Sequence, residues 1–162
     1  MTHGKIQIID IYINTSGIRL HVLVRLSQLR NMLDHVLITV PSDRLEEVTN
    51  WYLAALAPLG YTKLKEFTGI AYGLGPEKYS VPFWISGQKV DGQIVATHVA
   101  FRCSDRATVD LFHEEAVKAG GRCNGSPGLR HQYHPKYYAA FVYDPVGHVF
   151  AQLSSLGVAD FP

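Results

Sequence analysis

Two stretches decide how the chain is read: LDHVLITVPSDR, from Leu33 to Arg44, and THVAFRCSDR, from Thr97 to Arg106. Each alternates apolar and other residues with the period of a β-strand. In the first, Val36, Ile38 and Val40 point one way, and His35, Leu37 and Thr39 the other. In the second, Val99, Phe101 and Cys103 share a face, opposite His98, Ala100 and Arg102. Both strands end in the same tripeptide, Ser42-Asp43-Arg44 and Ser104-Asp105-Arg106. The offsets drift by one residue at a time: 63 from His35 to His98, 62 from Ser42 to Ser104, and 61 from Val48 to Val109. Strand, turn and helix face together indicate a duplicated module.

Working outward, each strand leads into a helix. Asp43 with Glu46 has the spacing of a capping box. Leu45, Val48, Trp51, Tyr52, Ala55 and Leu56 then mark one helical face, which Pro58 and Gly60 end. Strands are expected at Tyr61–Glu66, Ile70–Leu74 and Pro82–Ile85. After the second tripeptide, Val109, Phe112, Ala116 and Val117 line a helix that stops at Gly120-Gly121. Strands follow at Tyr137–Tyr143 and His148–Ser154, joined by the turn sequence DPVG. The modules are expected at about 32–90 and 94–156, in one domain spanning 32–162. Residues 1–31 are patterned differently. They read as an N-terminal appendage or an over-extended start, with an edge strand added to the sheet as the alternative.

A chain of 162 residues, 47% hydrophobic, is long enough for one full core. A net charge of +1 without a clustered basic face argues against nucleic acid as a partner. No apolar run approaches the roughly 20 residues of a membrane helix, so no membrane partner is expected. Cys103 and Cys123 are too few for a disulfide framework, and they point to a reducing, cytoplasmic setting. Cys103 is read as a buried, inert thiol. Asp144 reads as a turn former and His148 as a surface or turn residue, and His113, beside Phe112, as lying at the boundary between the apolar and polar faces of a helix.

The ordered set LDHVLITV, HVAF followed by SDR, LFHEEAVKAGG and YYAAFVYDPVGH resembles the vicinal oxygen chelate superfamily of glyoxalases, extradiol dioxygenases and bleomycin-resistance proteins. The segment PGLR with YHPKYYAAFV is similar to a glyoxalase-like branch. The resemblance covers about Met32 to Ser155. It implies an α+β fold of two tandem βαβββ modules, forming a cupped, barrel-like sheet with flanking helices. It also implies a small-molecule cavity that a homodimer often completes. In metal-dependent members the first strand of each module gives a histidine or glutamine and the last strand a glutamate. His35 and His98 match the first-strand ligands of a divalent metal such as Zn, Ni, Mn or Fe.

The carboxylates do not match. The family's closing glutamate falls at Ala151. Neighbouring Gln152 is expected to face the helix layer, because a strand alternates faces. The first module's PFWISG has no acid either. Two imidazoles leave much of an ion's coordination to solvent, substrate or a borrowed ligand such as His134, Glu77 or a partner subunit. The metal is therefore expected to be weakly held or absent.

The loop SPGLRHQYHPK, residues 126–136, sits where the family covers its cavity. Arg130 reads equally as a bidentate clamp on a substrate carboxylate or phosphate and as a loop-holding arginine. Tyr133 and Tyr138 are candidate donors to a bound oxygen, His134 a candidate general base, and Trp84, with Phe83 and Leu37, a candidate cavity wall; core packing is the commoner role for Phe83 and Trp84, and for the two tyrosines with their hydroxyls at the rim. Three readings stand: a glyoxalase- or dioxygenase-like enzyme, lyase or isomerase with an incomplete metal site; a protein that sequesters a small molecule without chemistry; and a purely structural or degenerate relative.

Overall fold

The computed structural model describes residues 7–12, 19–24, 33–89 and 95–155. Two compact units divide the chain, residues 1–34 and 35–162. In the first, β1 (Gln7–Tyr12) and β2 (Arg19–Val24) pair antiparallel in a two-stranded sheet.

The second unit holds the repeat. The first module runs β3 (Val36–Pro41), α1 (Leu45–Ala55), β4 (Thr62–Phe67), β5 (Ala71–Gly75) and β6 (Phe83–Gln88). The second runs β7 (His98–Cys103), α2 (Arg106–Lys118), β8 (Arg122–Leu129), β9 (Tyr137–Tyr143) and β10 (Val149–Ser155). Their sheets have matching orders, β3-β6-β5-β4 and β7-β10-β9-β8. In each, the first strand pairs parallel with the last, which only a crossover through the helix permits. The architecture is α+β, two βαβββ modules, as the sequence implied.

Alternation sends one face of each sheet to the helices. Ile38 and Val40 of β3 are buried, whereas Leu37, which precedes Ile38 and points the other way, is half exposed. Phe83 and Ile85 of β6 and Phe150 of β10 are buried on the same side. A single core joins the modules. Tyr52 of α1 lies edge-on to Phe150 at 4.9 Å, and Phe83 lies edge-on to Phe101 at 5.4 Å. Phe83 is therefore core, and not the cavity wall it was also read as. Burial of such rings is the main favourable term, about 25 cal/mol per Å² of apolar surface removed from water.

Three local expectations change. Asp43 does not cap α1: Ser42–Arg44 form a 3-10 turn first, and no side chain caps either element. The segment read as a loop from Ser126 begins as strand, because β8 runs to Leu129, and only the residues after it form the loop. Its glycines and Pro127 hide the alternation, and its register against β9 shifts between Cys123 and Gly125 and again between Gly125 and Gly128. His148 is buried, not a surface residue. Its Nδ1 accepts the Thr97 N–H at 3.0 Å and its Nε2 lies 3.1 Å from the Thr39 carbonyl. The Nδ1 acceptor leaves the ring proton on Nε2, which donates to Thr39 and so ties the two modules together.

Candidate functional site

The faces turned away from the helices form the candidate site. On β7 that face carries His98 and Ala100, and on β10 it carries Val149 and Ala151, paired strand to strand as His98 with Val149 and Ala100 with Ala151. On β9 it carries Phe141, opposite Ala151. The His98 and Phe141 rings lie 6.2 Å apart. A cavity of about 360 Å³ opens beside them, lined also by Asn124 and Gly125 of β8 and by Arg130, Gln132 and Tyr133.

Arg130 reaches the cavity because β8 is bare beneath it. A Cβ on Gly125 would come within 3.3 Å of Arg130 Nη2 and 3.1 Å of the Phe141 ring. The guanidinium therefore lies across the strand, 5.5 Å from the Phe141 centroid. Its Nη2 donates to the Ser126 carbonyl at 2.6 Å and its Nη1 to Leu129 at 3.4 Å. Arg130 thus holds the loop and lines the cavity at once, and five N–H donors suffice for both.

The loop after β8 is fixed by its own backbone. Arg130 N–H donates to Tyr137 O, and the N–H groups of Tyr133 and His134 return to Arg130 O. Tyr133 lies 60% exposed at the rim, its ring 5.3 Å from that of Tyr137. His134 Nδ1 accepts the Lys136 N–H at 3.1 Å and does not line the cavity. Tyr138 is on the helix side of β9: its hydroxyl donates to Asp110 of α2 at 2.7 Å, and Arg106 packs over its ring. The neighbour Tyr137 takes the concave face, and burial raises its phenol pKa.

In the first module, Trp84 is on the outer face, stacked on Phe67 at 5.9 Å and lying over Gly73, where a Cβ would meet the indole at 3.0 Å. His35 is exposed just before β3, as His98 is at the start of β7. The register aligns the closing strands. Val36 pairs with Phe83 and Leu37 with Trp84, while Val99 pairs with Phe150 and Ala100 with Ala151. Trp84 therefore holds in the first module the place of Ala151 in the second. Neither an indole nor a methyl group offers a metal a carboxylate. Among the described residues, no three of His, Cys, Asp or Glu gather around a common point. The donor set does not fit a firmly resident divalent ion. Gln152 gives no substitute, since its amide faces α2, 3.5 Å from the Thr108 carbonyl.

The paired modules match solved structures at the level of fold. A glyoxalase/bleomycin resistance protein from Albidiferax ferrireducens superposes with a TM-score of 0.61 at 24% identity, over 77% of this chain and 99% of that one. The chain has the vicinal oxygen chelate fold. A fosfomycin resistance protein from Mesorhizobium loti shares this fold with a TM-score of 0.57 at 17% identity, over 80% of this chain and 96% of that one. Lactoylglutathione lyase from Agrobacterium tumefaciens does so at 0.54 and 14%, over 78% and 96%. No family model matches the sequence, and no curated protein matches it.

Sequence reasoning missed Asn124, Gln132, Phe141 and Val149 as lining residues. The alternation of β9 already put Phe141 on the face of Tyr137, so that position was legible. Asn124 was not, because it stands in the bulged part of β8, where no period can be read. Among the described residues no helix is long and apolar enough to cross a membrane.

Proposed function

We propose that this protein captures a small organic molecule in the cup of its second module, without depending on a firmly held metal. The reading rests on the matched register that sets Trp84 and Ala151 where a carboxylate ligand would be needed. The ligand is a small molecule with an anionic or strongly accepting end. That end meets Arg130 and His98, with Asn124 and Gln132 able to add neutral hydrogen bonds. Its apolar body lies on Phe141, Val149 and the Tyr133 ring. The proportions suit this, since small-molecule sites pair apolar walls with a few convergent polar groups. Capture proceeds in a homodimer in the cytoplasm, residues 1–31 being an appendage to the binding domain; the two free cysteines agree with a reducing compartment.

The test is calorimetry with a panel of aromatic and aliphatic carboxylates and phosphonates, on protein freed of metal by a chelator. Binding that survives chelation and falls at least tenfold in Arg130→Ala supports the reading. A panel that binds only after metal is restored sinks it.

A second reading keeps a metal-dependent lyase, isomerase or dioxygenase. Its support is the pair His35 and His98, exposed at equivalent positions of the two modules, with a third ligand from outside the described set. Elemental analysis of protein purified without chelator decides between the readings. One equivalent of Zn, Ni, Mn or Fe, lost in His98→Ala, favours the enzyme.

A further inference from the structure

We propose that Cys123 and His113 form a nucleophilic thiol–imidazole pair on the helix side of the second sheet, which reacts with soft electrophiles and low-molecular-weight disulfides. Cys123 pairs across the ladder with Val142, whose side chain is buried under α2, so the thiol faces that helix. There His113 Nε2 lies 3.2 Å from Cys123 Sγ, within the reach of a sulfur hydrogen bond, and Ser126 Oγ lies 3.8 Å away on the other side. Cys123 is nonetheless exposed, so a reagent can reach it. Its neighbour Asn124 lines the cavity, which makes this pair separate from the binding cup.

Half-buried His113 has its pKa lowered by desolvation, against a smaller opposing pull from Asp110 one turn earlier on α2. The ring is therefore neutral at physiological pH and accepts a proton. Asp110 is itself engaged by the Tyr138 hydroxyl. Cys103 provides the contrast. It is half-buried, and its Sγ is directed at the carbonyls of Asp105 at 3.2 Å and Leu153 at 3.5 Å, with no base beside it.

The chemistry balances within the pair and its co-reactant. As the Cys123 S–H proton passes to His113 Nε2, the thiolate attacks one sulfur of a disulfide RS–SR. A new Sγ–S bond forms and the S–S bond breaks. The departing thiolate takes the proton from the imidazolium and leaves as RSH. Cys123 is oxidised to the mixed disulfide while the other half of the reagent is reduced.

The experiment uses the full chain at neutral pH with an aromatic disulfide reagent, in Cys103→Ser to isolate the signal. Cys123 is expected to react at least tenfold faster in the folded protein than in the same chain unfolded in urea. His113→Ala is expected to remove that advantage, and so is His113→Gln, which keeps a polar side chain but cannot take up the proton. The pH dependence of the folded rate is expected to change in both His113 variants. Equal rates in folded and unfolded protein overturn the proposal. So does a rate or pH profile untouched by a His113→Gln variant that melts like the parent.

Discussion

Tyr52 is fully buried, and its hydroxyl therefore needs a partner. Asp144 provides one: Oδ2 accepts the phenol at 2.9 Å, while Oδ1 accepts the N–H groups of Val146 and His148 at 3.0 and 2.8 Å. Tyr52→Phe leaves Oδ2 buried without that donor and is expected to cost about 1–3 kcal/mol in urea unfolding. The pH dependence has a definite sign. Burial first, and the neighbouring carboxylate second, hold the phenol well above its ordinary pKa. Its contribution is thus complete below about 10, the ordinary phenol value, and is lost as pH rises through the raised folded value. The stability gap between wild type and Tyr52→Phe is expected to shrink on the alkaline side, and a gap that widens there contradicts this account. Asp144 was legible as a turn former because DPVG is local. Its bond to Tyr52 was not, since 92 residues separate them and no pattern in either segment refers to the other.

The helices show how far an element can be read from its own residues. Asp105 caps α2 through Oδ1, which accepts the Thr108 N–H and hydroxyl, each at 2.8 Å. The backbone bond from Thr108, then the hydroxyls of Ser104 and Thr108, hold its carboxyl below the usual range. That contribution is present above the ordinary value of about 3.9 and is lost as pH falls through the lower folded value. Circular dichroism of Asp105→Ala is expected to show lower stability than wild type at neutral pH, converging with it in strong acid; a constant offset down to the acid limit contradicts the cap. The identical tripeptide at Ser42–Arg44 makes no such bond, because one 3-10 turn displaces Asp43 from the start of α1. Local letters thus fixed where both helices begin, but not the geometry of the first turn. On β10, alternation correctly turned Gln152 toward α2. Its Oε1 is buried there without a partner. Gln152→Met, similar in length and free of that polar atom, is expected to stabilise the protein by about 1 kcal/mol, read as a higher urea midpoint with unchanged slope. A lower midpoint means that Oε1 has a partner in solution.

At the scale of the molecule, the duplicated modules share one interior. Trp51 Nε1 of α1 donates to the Ala116 carbonyl of α2 at 2.9 Å, Arg44 reaches Pro145 O at 3.1 Å, and His148 bridges Thr97 to Thr39. Repetition in the sequence revealed two modules. It could not reveal this seam, because the residues that make it (Trp51, Tyr52, His148, Asp144) are not repeated between the copies. A seam of buried rings and hydrogen bonds couples the modules, so neither is expected to unfold alone. Gly121 tests this. A Cβ there would lie 2.8 Å from Trp51 Nε1 and 2.7 Å from both Ala116 O and the Val142 side chain, in the middle of the seam. Gly121→Ala must push α1 and α2 apart, at a cost of about 1–3 kcal/mol. Trp51 in the seam and Trp84 on the outer face of the first sheet report by fluorescence, while far-ultraviolet circular dichroism reports both modules. In wild type and variant alike, the two signals are expected to fall in one coincident urea transition, shifted lower in Gly121→Ala. Two separated transitions, with the variant moving only one of them, mean that the modules fold independently and that the shared core couples them less than its packing implies.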